Sequence, residues 1–128
     1  MGNMTDLVFF FKALADPTRL RILRMLLIKP LCVCEVMHVL NMAQSTTSKH
    51  LQILLKADIV EALPGGTWTI YRIVKDPKHP LLVSIVNALR NTINTKESEK
   101  DAALARKVDR NRICLQKMKR RHLKRGVS

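Results

Sequence analysis

The sequence has few acidic residues and few aromatic ones. Its 128 residues include 10 Asp and Glu against 23 Lys and Arg, which gives a formal net charge of +13. So large a basic excess favours a polyanionic partner, nucleic acid or a membrane surface, over a neutral metabolite. Aromatic residues make up 4% of the chain, so aliphatic side chains must build most of the core. The length fits one domain and leaves little room for a second.

Long apolar runs, a secretion signal and an even set of cysteines are also absent. No apolar run approaches the roughly 20 residues that a transmembrane helix needs. The N-terminal segment MGNMTDLVFF lacks the basic region that opens a signal peptide. Three cysteines, an odd count, do not fit a secreted disulfide framework. We therefore expect a cytoplasmic protein with reduced thiols and no membrane partner.

The basic charge is concentrated towards the C-terminus. Residues 1–94 carry 11 Lys and Arg and 6 Asp and Glu, whereas residues 95–128 carry 12 and 4, so the net charges are +5 and +8. The sequence therefore predicts a folded domain over 1–94 and a basic C-terminal extension over 95–128. The extension contains no Pro or Gly between residues 96 and 123, which favours helix in part of it.

Hydrophobic periodicity predicts a mainly helical domain that ends in a β-hairpin and a last helix. Asp16 is suited to cap the second helix, with Pro17 in its first turn, and Asn41 is suited to a left-handed C-cap. Two short helices joined by a short turn and followed by a two-stranded hairpin form a winged helix-turn-helix. The helices are predicted over 5–14, from Asp16-Pro17 to Lys29-Pro30, over 32–40, from Gln44 or Ser45 to Ala57 and over 81–93, and the strands over 59–63 and 68–74.

The fourth predicted helix carries polar residues opposite its leucines. Recognition helices present their first turns to base edges in the major groove, where amide, hydroxyl and amino groups form hydrogen bonds. A solvated helix start would look the same in isolation, but the hairpin and the basic charge favour binding to double-stranded DNA. The residues predicted to contact DNA are Gln44, Ser45, Thr46, Lys49, His50 at the edge of the face, and Thr67 at the hairpin tip. We expect Trp68 or Tyr71 to anchor the hairpin on the helices rather than to stack on bases.

Two cysteines, Cys32 and Cys34, form a C-V-C at the start of the third predicted helix. Residues two apart in a helix lie about 200° apart around its axis, so both thiolates can bind one ion only if the first turn is distorted or one Cys precedes the helix. A helix N-terminus stabilises thiolate, and soft thiolates select soft ions such as As(III), Sb(III) or Cd(II). Two buried cysteines that only fill space are the alternative interpretation.

Four stretches resemble the arsenical-resistance repressor (ArsR/SmtB) family in its arsenic-responsive branch. They are LADPTRLRILRML at 14–26, LCVCEVMHVL at 31–40, AQSTTSKHLQILLKADIV at 43–60 and GGTWTIYRI at 65–73, and the similarity covers about residues 7–93. The resemblance implies a homodimeric winged helix that represses an operon and releases DNA when it binds its inducer. It also implies that Gln44, Ser45, Ser48 and Lys49 face the groove, and that the helices at about 5–14 and 80–94 form the dimer.

The resemblance further implies an inducer site at Cys32 and Cys34, because L-C-V-C at this place is the arsenic-responsive signature of the family. As(III) or Sb(III) is the expected inducer, and no permanent cofactor is expected. The family's third cysteine is replaced here by Met37. A third ligand could be Cys114 from the same or the partner subunit, Met37, a small thiol or a water, or it could be missing. Asp76 and His79 only approach the pattern of the family's zinc sensors, so no zinc site is expected there.

Other functions compete with this interpretation. The same fold could sense oxidants or reactive sulfur through its cysteines, or it could be a nonspecific architectural DNA-binding protein. An enzyme with a cysteine nucleophile is the third alternative. The sequence shows no Cys–His–carboxylate set and no glycine-rich phosphate loop, so we predict that the protein is not an enzyme.

Overall fold

The computed structural model describes residues 3–77, 80–92 and 96–109, and within them the fold is mainly helical, as predicted. The elements are α1 (Met4–Leu14), α2 (Pro17–Leu26), β1 (Leu31–Cys32), α3 (Val33–Leu40), α4 (Gln44–Lys56), β2 (Val60–Gly65), β3 (Trp68–Ile73), α5 (Pro80–Thr92) and α6 (Lys96–Lys107). Among the helices in these ranges, none has the length and apolar character needed to span a bilayer.

Short-range signals in the sequence set the start of α2 and the end of α3 where they were predicted, whereas α2 ends at Leu26, before the predicted stop at Lys29-Pro30. Asp16 caps α2, its Oδ2 accepting the backbone N–H of Arg19 at 3.0 Å, and Pro17 occupies the first turn, where no N–H is needed. Asn41 ends α3 in the left-handed conformation, with φ 53° and ψ 52°. The predicted helix boundaries at both points are confirmed.

The predicted hairpin is present, and a third strand joins it. β2 and β3 pair antiparallel from Val60 opposite Ile73 to Gly65 opposite Trp68, and Gly66 in the connecting turn has a φ of 74°. β1 pairs antiparallel with the other edge of β3, which places Cys32 opposite Ile70. The helix predicted over 32–40 includes Cys32, and this was wrong: Cys32 belongs to β1, a strand of two residues that is too short to show any alternation of its own.

The core is aliphatic, as the composition predicted, and Tyr71 anchors the hairpin in it. The residues with almost no exposed surface come from α2, β1, α3, α4 and the residue before β2. They include Ile22, Leu23, Leu31, Val36, Leu51, Leu54 and Ile59. Tyr71 belongs to the same cluster, whereas Trp68 is only half-buried. Because Leu51 and Leu54 of α4 face this core, the opposite side of α4 is left for polar residues.

The first part of the basic extension is helical and packs on the domain. α6 contacts α2 and α3, and Ala105 of α6 and Val108 just after it join the central hydrophobic cluster. Asp101 is buried and accepts two hydrogen bonds from Arg21, at 2.7 and 3.0 Å. The predicted division of the chain at residue 94 stays a prediction, and residues 110–128, with Cys114, lie outside the described residues.

Candidate nucleic-acid interface and thiol pair

The pair α3 and α4 forms a helix-turn-helix. Three residues, Asn41 to Ala43, separate the two helices, and the backbone N–H of Met42 donates to the carbonyl of Met37 at 3.2 Å. Inside α4, Thr47 is buried and its Oγ1 donates to the carbonyl of Ala43 at 2.9 Å. These contacts fix the orientation of the first turn of α4 relative to α3. That turn is the part of a recognition helix that enters a groove.

Most of the side chains predicted to contact DNA are exposed. Gln44, Ser45, Thr46 and Lys49 are exposed on α4, Thr67 is exposed beside the hairpin turn, and Ser48 is half-buried. The structure therefore presents the α4 residues together and Thr67 on a separate element, the wing. Gln52 and Lys56 are exposed as well and continue the row that begins at Ser45 and Lys49. Gln52 and Lys56 were not among the predicted contacts, although their spacing of three and four residues is a detectable signal.

His50 differs from the other predicted DNA contacts because it is tied to α2. Its ring nitrogen Nδ1 lies 3.2 Å from Nη1 of Arg19 and 3.8 Å from Oδ2 of Asp16, and 18% of its side chain is exposed. Arg19 also donates to two carbonyls near the end of α1, from Nε to Ala13 at 2.6 Å and from Nη2 to Lys12 at 3.1 Å. Sequence reasoning missed Arg19, because its contact with His50 spans 31 residues and leaves no periodic signal.

The two thiols lie on either side of the junction between β1 and α3. Cys32 is the N-cap of α3 and is 1% exposed, and its backbone N–H donates to Oε1 of the buried Glu35 at 3.0 Å. Cys34 lies in the first turn of α3 and is half-buried, and neither cysteine is in a disulfide. Cys32 thus precedes the helix, which is one of the two conditions under which a C-V-C pair can share an ion.

A third ligand is not provided by an acidic or imidazole side chain in the described part of the chain. No group of three His, Cys, Asp or Glu residues in the described ranges could hold a metal. Met37 is half-buried on α3, His38 is exposed and Asp76 is exposed after β3. His79 and Cys114 lie outside the described residues. Within the described ranges, the two thiols therefore have no third His, Cys, Asp or Glu beside them.

The sequence of this chain is similar to those of known transcriptional regulators. The profile described as "Bacterial regulatory protein, arsR family" matches residues 16–62. An uncharacterised HTH-type transcriptional regulator of Methanocaldococcus jannaschii is 51% identical over 67 residues, 52% of this chain and 75% of the relative. The arsenical resistance operon repressor of Bacillus subtilis is 38% identical over 73 residues, 56% of this chain and 70% of the relative. The chain belongs to the arsR family of bacterial regulatory proteins.

Solved structures of this family have the same fold. A homodimeric winged helix-turn-helix domain of a possible ArsR-family regulator from Mycobacterium bovis superposes with a TM-score of 0.59 at 28% identity, covering 68% of this chain and 77% of that one. The AntR antimony-specific transcriptional repressor superposes with a TM-score of 0.52 at 32% identity, covering 65% and 72%. This arsR-family protein is a winged helix-turn-helix transcriptional regulator, and its family is not one of enzymes. The predicted winged helix-turn-helix fold and the prediction that the protein is not an enzyme are both confirmed.

Proposed function

We propose that this arsR-family regulator is a repressor that binds operator DNA as a homodimer and releases it when As(III) or Sb(III) binds at Cys32 and Cys34. The reading surface in this proposal comprises Gln44, Ser45, Thr46, Ser48, Lys49 and His50 of α4 together with Thr67 of the wing. The observation that carries the proposal is the position of the two thiols. They straddle the junction of β1, which pairs with wing strand β3, and α3, which packs on α4.

This position connects the thiols to both DNA-reading elements. Cys32 is in register with Ile70 of the wing, whereas Cys34 belongs to the helix that supports α4. A soft ion bound by both sulfurs would fix the angle between β1 and α3. Because Cys32 is 1% exposed, it cannot take an ion without local rearrangement. A ligand that requires a different conformation shifts the equilibrium away from the DNA-binding one, and the coupling is reciprocal.

The chemistry of the donors supports a thiophilic metalloid. Thiolates select soft ions over Mg²⁺ or Ca²⁺, and a helix N-terminus such as that of α3 favours the thiolate form. The relatives agree in part, because one is named an arsenical resistance operon repressor and one solved neighbour an antimony-specific repressor. These names describe those proteins, and for this chain the inducer is proposed from its own thiols.

The described residues just after α6 indicate where the C-terminal extension continues relative to the thiols. Nζ of Lys29 donates to the carbonyl of Val108 at 2.9 Å, so Val108 lies close to the segment that leads into β1. Five residues lie between Val108 and Cys114, so the extended chain between them spans at most about 20 Å. Cys114 of the same subunit is therefore one candidate for the third ligand in this proposal. Met37, the partner's cysteine, a small thiol, a water or no third ligand stay the alternatives.

Release of DNA by arsenite tests the proposal. We expect strictly reduced protein, bound to a labelled fragment from upstream of its own operon, to dissociate as arsenite or antimonite is added. Release without an oxidant would exclude oxidant or reactive-sulfur sensing as the sole mechanism. A protected footprint limited to one site would exclude an architectural protein. Failure of arsenite, antimonite and thiophilic divalent cations to change binding would refute the proposed inducer class.

The dimer in this proposal is formed by α1 and α5. Both helices leave large apolar side chains exposed, among them Val8, Phe9 and Phe11 on α1 and Leu81 and Val83 on α5. Contiguous exposed apolar patches mark interaction surfaces, and Val8 and Phe9 lie side by side with Met4 on α1. A homodimer of this kind would place two copies of α4 on half-sites about one DNA turn apart.

Replacing Val83 with glutamate is expected to weaken the dimer. The side chain is 54% exposed in one chain, and a charge there would lose its water when the partner covers it. We expect the dissociation constant of the dimer to rise at least about tenfold, a cost of about 1.4 kcal/mol. Sedimentation equilibrium measures the change, with Ala103→Glu, an exposed position on α6, as the control of equal charge. A monomeric wild-type protein would contradict the assignment.

Replacing Lys49 with alanine is expected to remove one phosphate contact. Lys49 is exposed on the reading side of α4, where its ammonium group would displace a counterion from DNA. The slope of log affinity against log salt should become less steep by about 0.9. Fluorescence anisotropy at several salt concentrations gives the slope. Lys56→Ala, on the same face in the last turn, is the matched control and should change the slope less. An equal change in the two variants would contradict the assignment of the N-terminal half of α4 to the groove.

A further inference from the structure

Arg19 links three helices through one guanidinium group. Its Nε and Nη2 donate to the carbonyls of Ala13 and Lys12 in the last turn of α1, at 2.6 and 3.1 Å. Its Nη1 lies 3.2 Å from Nδ1 of His50 on α4. Its backbone N–H donates to the capping carboxylate of Asp16 at 3.0 Å, which fixes the residue in the first turn of α2. The end of the proposed dimer helix and the DNA-reading helix are therefore joined through this one side chain.

Two groups lie near Nδ1 of His50: Nη1 of Arg19 at 3.2 Å, and Oδ2 of Asp16 at 3.8 Å, which is beyond hydrogen-bond distance. A guanidinium group has five N–H donors and no acceptor, so Nδ1 must accept the hydrogen bond from Nη1. The neutral ring then carries its hydrogen on Nε2. In the described part of the chain, no residue bonds to Nε2, and this nitrogen is not among the buried polar atoms that lack a partner. His50 thus has a fixed N–H donor on the side of the ring away from Arg19.

We propose that Arg19 is a positioning residue for DNA binding, holding His50 in the tautomer whose Nε2–H donates to a phosphate oxygen of the bound DNA. The inference rests on the proposed function of α4 as the reading helix. His50 is the seventh residue of α4, beyond the first turn that meets base edges, and at least half of protein–DNA hydrogen bonds go to phosphate and sugar. The tie to α1 has a second consequence: the orientation of α4 depends on where the proposed dimer helix ends.

Two amide substitutions separate the two ring nitrogens. Asparagine places an acceptor near the position of Nδ1 and has nothing at Nε2, whereas glutamine places an N–H donor near the position of Nε2 and keeps no acceptor for Arg19. We expect His50→Asn to weaken binding to the upstream DNA about tenfold, as for loss of a hydrogen bond to a charged group. For His50→Gln, the decrease in the logarithm of DNA affinity should be less than half of that for His50→Asn. Neither should change the salt slope, because a neutral donor displaces no counterion.

The tautomer itself is measured by nitrogen-resolved NMR of the histidine rings in the free protein. We expect the His50 ring of the wild type to carry hydrogen on Nε2 alone, and both tautomers to be populated in Arg19→Met. A wild-type ring protonated on Nδ1, or equal losses of affinity in His50→Asn and His50→Gln, would overturn the proposal. If Arg19→Met does not fold, the wild-type spectrum and the two His50 variants decide the question.

The outcomes also distinguish this inference from the proposed function. If the wild-type protein binds DNA with a salt slope that Lys49→Ala reduces, while both His50 variants bind like the wild type, only the role of His50 fails. If the wild type does not bind its upstream DNA, the proposed function fails together with the phosphate contact. The ring spectrum would then still show whether Arg19 fixes the tautomer.

Discussion

Replacing either Cys32 or Cys34 with serine is expected to abolish release by arsenite and to leave DNA binding intact. The couplings typical of such switches, about 1–3 kcal/mol, correspond to a 5- to 150-fold loss of DNA affinity on inducer binding, and this loss should disappear. Serine keeps the size of cysteine but offers a hydroxyl group, a hard donor that does not replace a thiolate on a soft ion. Fluorescence anisotropy of labelled DNA, with and without arsenite, measures the DNA affinity of each variant and its change on inducer binding.

The structure indicates that the Cys32 variant will fold. Cys32 is the N-cap of α3, and serine is among the preferred residues at that position. The hydrogen bond to Glu35 comes from the backbone of Cys32 and is kept on substitution. A loss of response can therefore be attributed to the sulfur atom rather than to unfolding. Unchanged release by arsenite in both serine variants would show that the inducer site lies elsewhere.

The third ligand can be determined by the same approach. X-ray absorption at the arsenic edge counts the sulfur ligands of the bound metalloid. Comparison of the wild type with Cys114→Ala and Met37→Leu distinguishes a cysteine of the extension from a thioether of α3. A count of two sulfurs in all three proteins would indicate a site built from Cys32 and Cys34 alone, which would suit a monoalkyl arsenical.

Replacing Arg21 with alanine is expected to destabilise the fold by roughly 2–3 kcal/mol, between the values for an exposed and a fully buried ion pair. The Asp101 side chain is 3% exposed and the Arg21 side chain 28% exposed, and the two form a pair of hydrogen bonds between α6 and α2. Without the guanidinium group, the carboxylate would stay buried with a major partner missing. Urea denaturation at neutral pH measures the loss.

The unequal burial of the two partners gives an asymmetric control. Asp101→Ala leaves the arginine, whose partly exposed head can be hydrated, so it should cost at least about 1 kcal/mol less than Arg21→Ala. The double variant Arg21→Leu with Asp101→Leu should recover most of the stability, because replacing both charges by apolar groups leaves no buried charge. Equal costs for the two single variants would mean that the carboxylate is better hydrated than the structure shows.

Local signals explain why much of the fold could be predicted. The caps at Asp16 and Asn41 act over at most four residues, and the period of α4 is visible in the spacing of Leu51 and Leu54. The hairpin follows from Gly66, whose positive φ suits glycine. The exposed polar residues of α4 followed from the same periodicity, because a helix with one apolar face must present the other to solvent.

The sequence alone determined the order of the elements, the polar face of α4 and the neighbouring pair of thiols, because each depends on residues a few positions apart. Only the tertiary structure decided that β1 joins the wing, that Arg19 meets His50 and that Arg21 holds Asp101 across a separation of 80 residues. Contacts of that range are chosen by the packing of whole elements, and no local pattern encodes them. The connection between the thiols and the DNA-reading surface is of this second kind.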